Sequence, residues 1–188
     1  MLVTITAWKG LVAWGLDPCY DEGYYFYWAM HPELSYFDHP PLSGWAMAIS
    51  RWIFGDSIWT IRIWPLVAGT GFVLMGRALA RRVFAPDAAD LAGILLLLMP
   101  GFTGNGLLMT PDVLFALTWA GAIFLAWKAQ ALPSSKWCFW ALAGGVAGLG
   151  FLAKYNMVLF FVGMGVFWAI SPGRRRDIFT GTLVSGGV

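Results

Sequence analysis

Charge is what this chain has least of. Only 12% of its 188 residues are Asp, Glu, Lys or Arg, against 59% hydrophobic. An ordinary soluble domain carries about 25% charged residues, so a water-exposed globule is excluded. The formal net charge is only +2, and no basic stretch is interleaved with aromatics, which argues against nucleic acid as a partner. Cysteine is nearly absent. Cys19 and Cys138 are the two present, with no C-x-x-C and no paired Cys/His spacing, so neither a disulfide framework nor a structural zinc site is expected. Residues 1–16 lack the basic start and small-residue cleavage site of a secretory signal. No internal repeat or low-complexity linker breaks the chain.

What is abundant is apolar surface. Twelve tryptophans, fourteen phenylalanines and a mean hydropathy of +0.68 indicate lipid as the main solvent. A membrane helix needs about 20 apolar residues, and candidate spans fall at 2–16, 61–79, 91–109, 113–131, 137–154 and 156–171. The fold class expected is all-α: a single membrane domain over 1–188, built as a multi-span helical bundle. The closing "TGTLVSGGV" resembles the start of another apolar segment, as in a piece of a longer membrane protein. If the spans alternate, Arg77, Arg81, Arg82, Lys128, Lys136 and Arg174 to Arg176 share one side, which is then cytoplasmic. The other side, external or periplasmic, receives the loop 17–60. That loop holds six of the ten acidic residues and Arg51 as its one basic residue.

Within that loop, "CYDEGYYFYWAMHPELSYFDHPPL" (19–42) contains both histidines of the chain. Tyr24, Tyr25, Tyr27 and Trp28 have the amphipathic character of a headgroup interface. Trp45, Ile49 and Trp52 recur at helical spacing in "LSGWAMAISRWIFG", which predicts a helix over 42–54 lying on the membrane surface. Asp21 and Glu22 are adjacent where the chain leaves the first span, and such a pair repels itself without a partner. Asp38 and His39 precede the rigid Pro40-Pro41 turn. An Asp-His pair can orient an imidazole or hold a divalent cation. Glu33, Asp17 and Asp56 read equally well as solvated loop residues, and His31 as a structural or exposed one.

Two further ionisable residues are expected on the same side. Asp112 follows Pro111 at the start of a span, where capping alone would account for it. Lys154, in "FLAKYNMVLF", either snorkels to the headgroups or serves a site, as intramembrane ionisable residues generally do. "GGVAGLG" at 144–150 sits within an apolar helix, not after a strand. Its Gly144 and Gly148 suit close helix packing better than a nucleotide loop.

In order along the chain, "DEGYYFYWA", "YFDHPPL", "FGDSIWTIRIWPLVAG", "LLMTPDVLF" and "GLGFLAKY" resemble the bacterial membrane glycosyltransferases related to dolichyl-phosphate-mannose protein mannosyltransferases. The aminoarabinose transferases that modify lipid A belong to the same broad group. The resemblance implies a GT-C fold, a polyprenyl-phosphate-linked sugar donor, and a longer protein of which this chain is the N-terminal part. It implies that Asp21 is the catalytic base or orients the acceptor, with Glu22 completing the acidic pair and Asp112 at the same site. Asp38 and His39 would line the donor phosphate or a metal, the one cofactor suggested. Lys154 would face the same cavity. Arg62 is a phosphate partner in this reading, or else an interface anchor.

The function expected is therefore transfer of a sugar from a lipid-phosphate donor to an acceptor the sequence does not specify, at the external face. A transporter or lipid-carrier flippase is the alternative. It would place its charges nearer the bilayer midplane, in broken helices.

Overall fold

The computed structural model of the protein describes residues 2–131 and 136–170. Every regular element among them is helical: α1 (Leu2–Gly15), α2 (Tyr20–Met30), α3 (Leu42–Phe54), α4 (Ile58–Val83), α5 (Pro86–Leu98), α6 (Pro100–Asn105), α7 (Pro111–Ala131), α8 (Lys136–Ala153) and α9 (Val158–Ile170). The fold is an all-α membrane bundle. Contacts divide the chain into one unit of Met1–Tyr155 and another of Asn156–Val188. The second contributes α9, preceded by a short 3-10 turn over Tyr155–Met157. Arg174 to Arg176 and the "TGTLVSGGV" end lie outside the described residues.

Within the first unit, α4 and α7 are long and apolar enough to cross a membrane. Their 26 and 21 residues span about 39 and 31 Å, against a hydrocarbon core of about 30 Å. The two run parallel. Arg62 near the start of α4 bonds Leu107 just before α7, and Arg82 near its end lies 4.7 Å over the ring of Trp127 near the end of α7. α5 returns antiparallel to α4, with Arg77 and Asp90 paired, and α8 returns antiparallel to α7, from Lys128 over Phe139 to Lys154 on Asp112. One end of this unit thus gathers Glu22, Arg62, Asp112 and Lys154. The other gathers Arg77, Arg81, Arg82 and Lys128.

One expected span is broken. The apolar run 91–109 does not form one helix: α5 stops at Leu98 and α6 starts at Pro100. Pro100 has no N–H to continue the ladder and disfavours helical geometry at Met99. Leu107 to Met109 then lie outside any helix, which frees the Leu107 carbonyl and Met109 amide for other partners. α4 tolerates its own Pro65, which is buried. Farther along, Gly69 approaches Gly106 so closely that a Cβ on Gly69 would sit 2.9 Å from the Gly106 Cα.

The loop 17–60 is folded, not loose. α3 covers the expected 42–54, burying Ser43, Gly44, Ala46, Met47 and Ser50 and leaving Trp52 88% exposed. The small inner face lets α3 sit close against α2 and α4, while Ile49, Trp52 and Ile53 face outward. α2 goes beyond the sequence reading, which places an interfacial aromatic belt here and no helix. It buries Glu22, Tyr25, Trp28 and Ala29, a run at i, i+3, i+6 and i+7 that marks one helical face.

Candidate active site

The segment between α2 and α3 is organised by Tyr36. Its ring stacks on Trp28 with centroids 4.2 Å apart and planes within 4°. Its hydroxyl lies 3.1 Å from the Trp28 carbonyl and 3.2 Å from that of His31, and accepts from the Glu33 amide at 3.2 Å. Gly44 makes room for it, because a Cβ there would be 2.6 Å from that hydroxyl. Trp45 Nε1 donates to the Glu33 carbonyl at 2.8 Å. The Tyr36 amide donates to the His39 carbonyl at 3.1 Å, which closes the turn that presents Asp38 and His39.

Asp38 Oδ1 accepts from the Tyr24 hydroxyl at 2.9 Å. That bond, then burial and the Asp38 charge, raise the Tyr24 pKa. His39 presents its ring edge-on to Tyr25 and to Trp28, each at 6.1 Å. Tyr25 is buried at 7% exposure. Desolvation pushes its phenol up to about 12, and the charges of Asp21, Asp38 and Asp112 add to the effect. Tyr25 packs in one buried cluster with Trp28, Met109, Val113, Leu114 and Ala153, so α2, the segment before α7, the start of α7 and the end of α8 meet around it. Lys154, at the end of α8, reaches Asp112 Oδ1 at 2.5 Å. Asp21 itself is exposed and makes no hydrogen bond or ion pair among the described residues.

Glu22 and Arg62 occupy a different environment. They form an ion pair in which both side chains are 0% exposed. Glu22 Oε1 also accepts from the Met109 amide at 2.8 Å, and Oε2 accepts from the Cys19 amide at 3.0 Å. Arg62 donates further to the carbonyls of Leu107 at 2.7 Å, Asp17 at 3.3 Å and Leu16 at 3.5 Å. Both Glu22 oxygens are engaged and neither side chain meets solvent. The pair pins the end of α1, the start of α2, α4 and the segment before α7 together.

Among the described residues no group of three His, Cys, Asp or Glu side chains is arranged to hold a metal ion. Asp38 and His39 alone offer two ligands, one of them engaged by Tyr24. No third His, Cys, Asp or Glu ligand stands beside them among the described residues.

Sequence reasoning passed over Tyr24, Tyr25 and Tyr36 as site residues. Tyr25, Trp28 and Ala29 at i, i+3 and i+4 carried the helical signal. The 22-25-28 spacing would have set Glu22 on the inner face with them.

The sequence pattern of the family described as dolichyl-phosphate-mannose-protein mannosyltransferase matches residues 38–187. The chain belongs to that family. Among curated relatives, it is 25% identical over 171 residues to the lipid A galacturonosyltransferase RgtD of Rhizobium johnstonii, covering 88% of this chain and 35% of that protein. It is 26% identical over 150 residues to the undecaprenyl phosphate-alpha-4-amino-4-deoxy-L-arabinose arabinosyl transferase of Edwardsiella ictaluri, covering 78% of this chain and 27% of that one. The transferase of the same name from Pseudomonas aeruginosa is 32% identical over 128 residues, covering 64% and 23%. The chain thus spans between about a quarter and a third of the length of these family members. No solved structure matches it.

Proposed function

We propose that the protein is a membrane glycosyltransferase, or part of one, moving a sugar from a polyprenyl-phosphate donor to a hydroxyl-bearing acceptor at the end of the bundle that holds Tyr25. The observation that carries this reading is that Lys154 pairs with Asp112 across 42 positions, next to a buried cluster that joins Tyr25 and Trp28 to Met109, Val113 and Ala153 and whose Tyr25 and Trp28 rings His39 also meets. Residues so far apart in sequence need not meet to serve as separate caps or anchors. Two reacting groups, however, must be held within hydrogen-bond reach of their partners. Membership in a transferase family, and relatives named for undecaprenyl-phosphate aminoarabinose and for lipid A, favour this reading over a transporter.

In the reaction proposed, Asp21 accepts the proton of the acceptor hydroxyl as that oxygen bonds to the anomeric carbon. The bond from that carbon to the lipid-phosphate oxygen breaks, and the phosphate leaves with the electron pair. Lys154 and His39 face the charge that develops on it. Asp38, held by Tyr24, orients the donor. Glu22 and Arg62 act as positioning residues, since both are sealed from solvent. The clustering of basic residues at the opposite end supports a cytoplasmic assignment for that end and an external one for the site.

The deciding experiment uses a labelled polyprenyl-phosphate sugar and compares wild type with Asp21→Asn. Loss of a general base lowers turnover by about 10²- to 10⁴-fold, with membrane insertion unchanged. Undiminished transfer by the folded variant would refute the role of Asp21.

A further inference from the structure

The end of the bundle remote from Tyr25 has a feature that the transfer chemistry does not use. Between α4 and α5 lies a pocket of about 310 Å³, floored by Val73, Leu74, Gly93, Ile94 and Leu97, with Arg77 and Asp90 as its polar residues. The lining runs over eight positions of α5, 90 to 97, so the groove is about 10 Å long. It has an ionic end and an apolar end.

The ionic end is unbalanced. Asp90 Oδ1 receives Arg77 at 2.7 Å and Arg81 at 3.2 Å, one carboxylate against two guanidiniums. Arg82 follows directly, over the Trp127 ring. The Arg77 and Arg81 side chains remain 39% and 48% exposed, so each keeps N–H donors open to a further acceptor. A soluble anion would satisfy the arginines but leave the apolar floor unused. A neutral lipid would do the reverse. The combination of surplus positive charge and an apolar trough fits an amphiphile with an anionic head.

We propose that this groove binds an anionic phospholipid, with its phosphate on Arg81 and Arg77 and an acyl chain along Leu74, Ile94 and Leu97. The site is separate from the transfer site and requires no assumption about the sugar or acceptor. Bound there, the lipid would brace α4 against α5.

The test uses the delipidated protein in neutral detergent, titrated with phosphatidylglycerol, phosphatidylcholine or inorganic phosphate. Melting temperature and native mass spectrometry of the folded fraction are the readouts. Phosphatidylglycerol is expected to raise the melting temperature and remain bound, and the other two are not. Arg81→Gln keeps the Arg77–Asp90 pair and should weaken phosphatidylglycerol binding about five-fold, the factor equivalent to about 1 kcal/mol per basic residue at an anionic surface. Leu74→Trp fills the trough without altering charge and should abolish retention. Equal binding of phosphatidylcholine, equal stabilisation by inorganic phosphate, or unchanged phosphatidylglycerol binding in both variants would overturn the proposal.

Discussion

Lys154 and Asp112 are 42 residues apart in sequence and 2.5 Å apart in space. The contact joins the end of α8 to the start of α7, so it closes the helical hairpin at the site's end of the bundle. The side chains are 27% and 47% exposed. Water screens such a pair, and its stabilising effect is within about 1 kcal/mol.

That exposure separates two explanations of Lys154. If it serves only the hairpin, Lys154→Met shifts the melting temperature by about 2–4 °C at most and leaves turnover alone. If it faces the leaving phosphate, turnover falls by about 10²- to 10³-fold with the same small thermal shift. The second outcome is expected, measured as kcat and melting temperature on one preparation.

Tyr25 offers a titration. Burial foremost, and then Asp21, Asp38 and Asp112, raise its phenol from 10.0 to about 12. The folded pKa lies above the unfolded one, so this contribution to stability is complete below about pH 10 and lost as pH climbs through about 12. Tyr25→Phe should delete the latest step in phenolate absorbance and remove the matching loss of stability. Asp21→Asn and Asp38→Asn should each bring that step to lower pH. A step that stays put in both variants would show that the carboxylates do not act on this phenol.

The buried pair predicts the opposite balance from Lys154. Arg62→Met strands an uncompensated carboxylate at 0% exposure, and breaking a buried pair costs about 3–5 kcal/mol. Folded yield and melting temperature should fall sharply. The double variant Glu22→Gln with Arg62→Met should recover part of the loss. Wild-type stability in the single variant would show that the pair is dispensable.

Orientation is testable with single cysteines in a background carrying Cys19→Ser and Cys138→Ser. Ser35 lies in the α2–α3 segment and Ala85 in the α4–α5 turn, both exposed. An impermeant thiol reagent applied to intact cells, with the outer membrane permeabilised if there is one, should label Ser35→Cys and spare Ala85→Cys. The reverse pattern would invert the proposed topology.

Much of the fold is legible in sequence because lipid imposes a coarse rule. A long apolar run must be a helix, and α4, α7 and α8 follow from that, while α3 follows from the spacing of Trp45, Ile49 and Trp52. α2 was missed because its tyrosines and Trp28 satisfy two descriptions at once, an interfacial belt and a half-buried helix. The Met99–Pro100 break turns on a single proline inside an apolar run, and the length of that run by itself predicts one span. The candidate site divides in the same way. Its ionisable members stand out against an apolar background, yet nothing in sequence assigns Glu22 to Arg62 across 40 positions. Pairing of that kind depends on how α2 docks, and docking is set by many weak contacts at once.

Asp21 and Glu22 are chemically near-identical neighbours with different surroundings, and α2 is the reason. Consecutive side chains on a helix diverge by about 100°, so fastening Glu22 inward aims Asp21 outward. The dipeptide acts as a rotational gauge, one carboxylate setting the bearing of the other. A register slip of one position in α2 would turn the anchor to solvent and bury its neighbour without changing the composition at all.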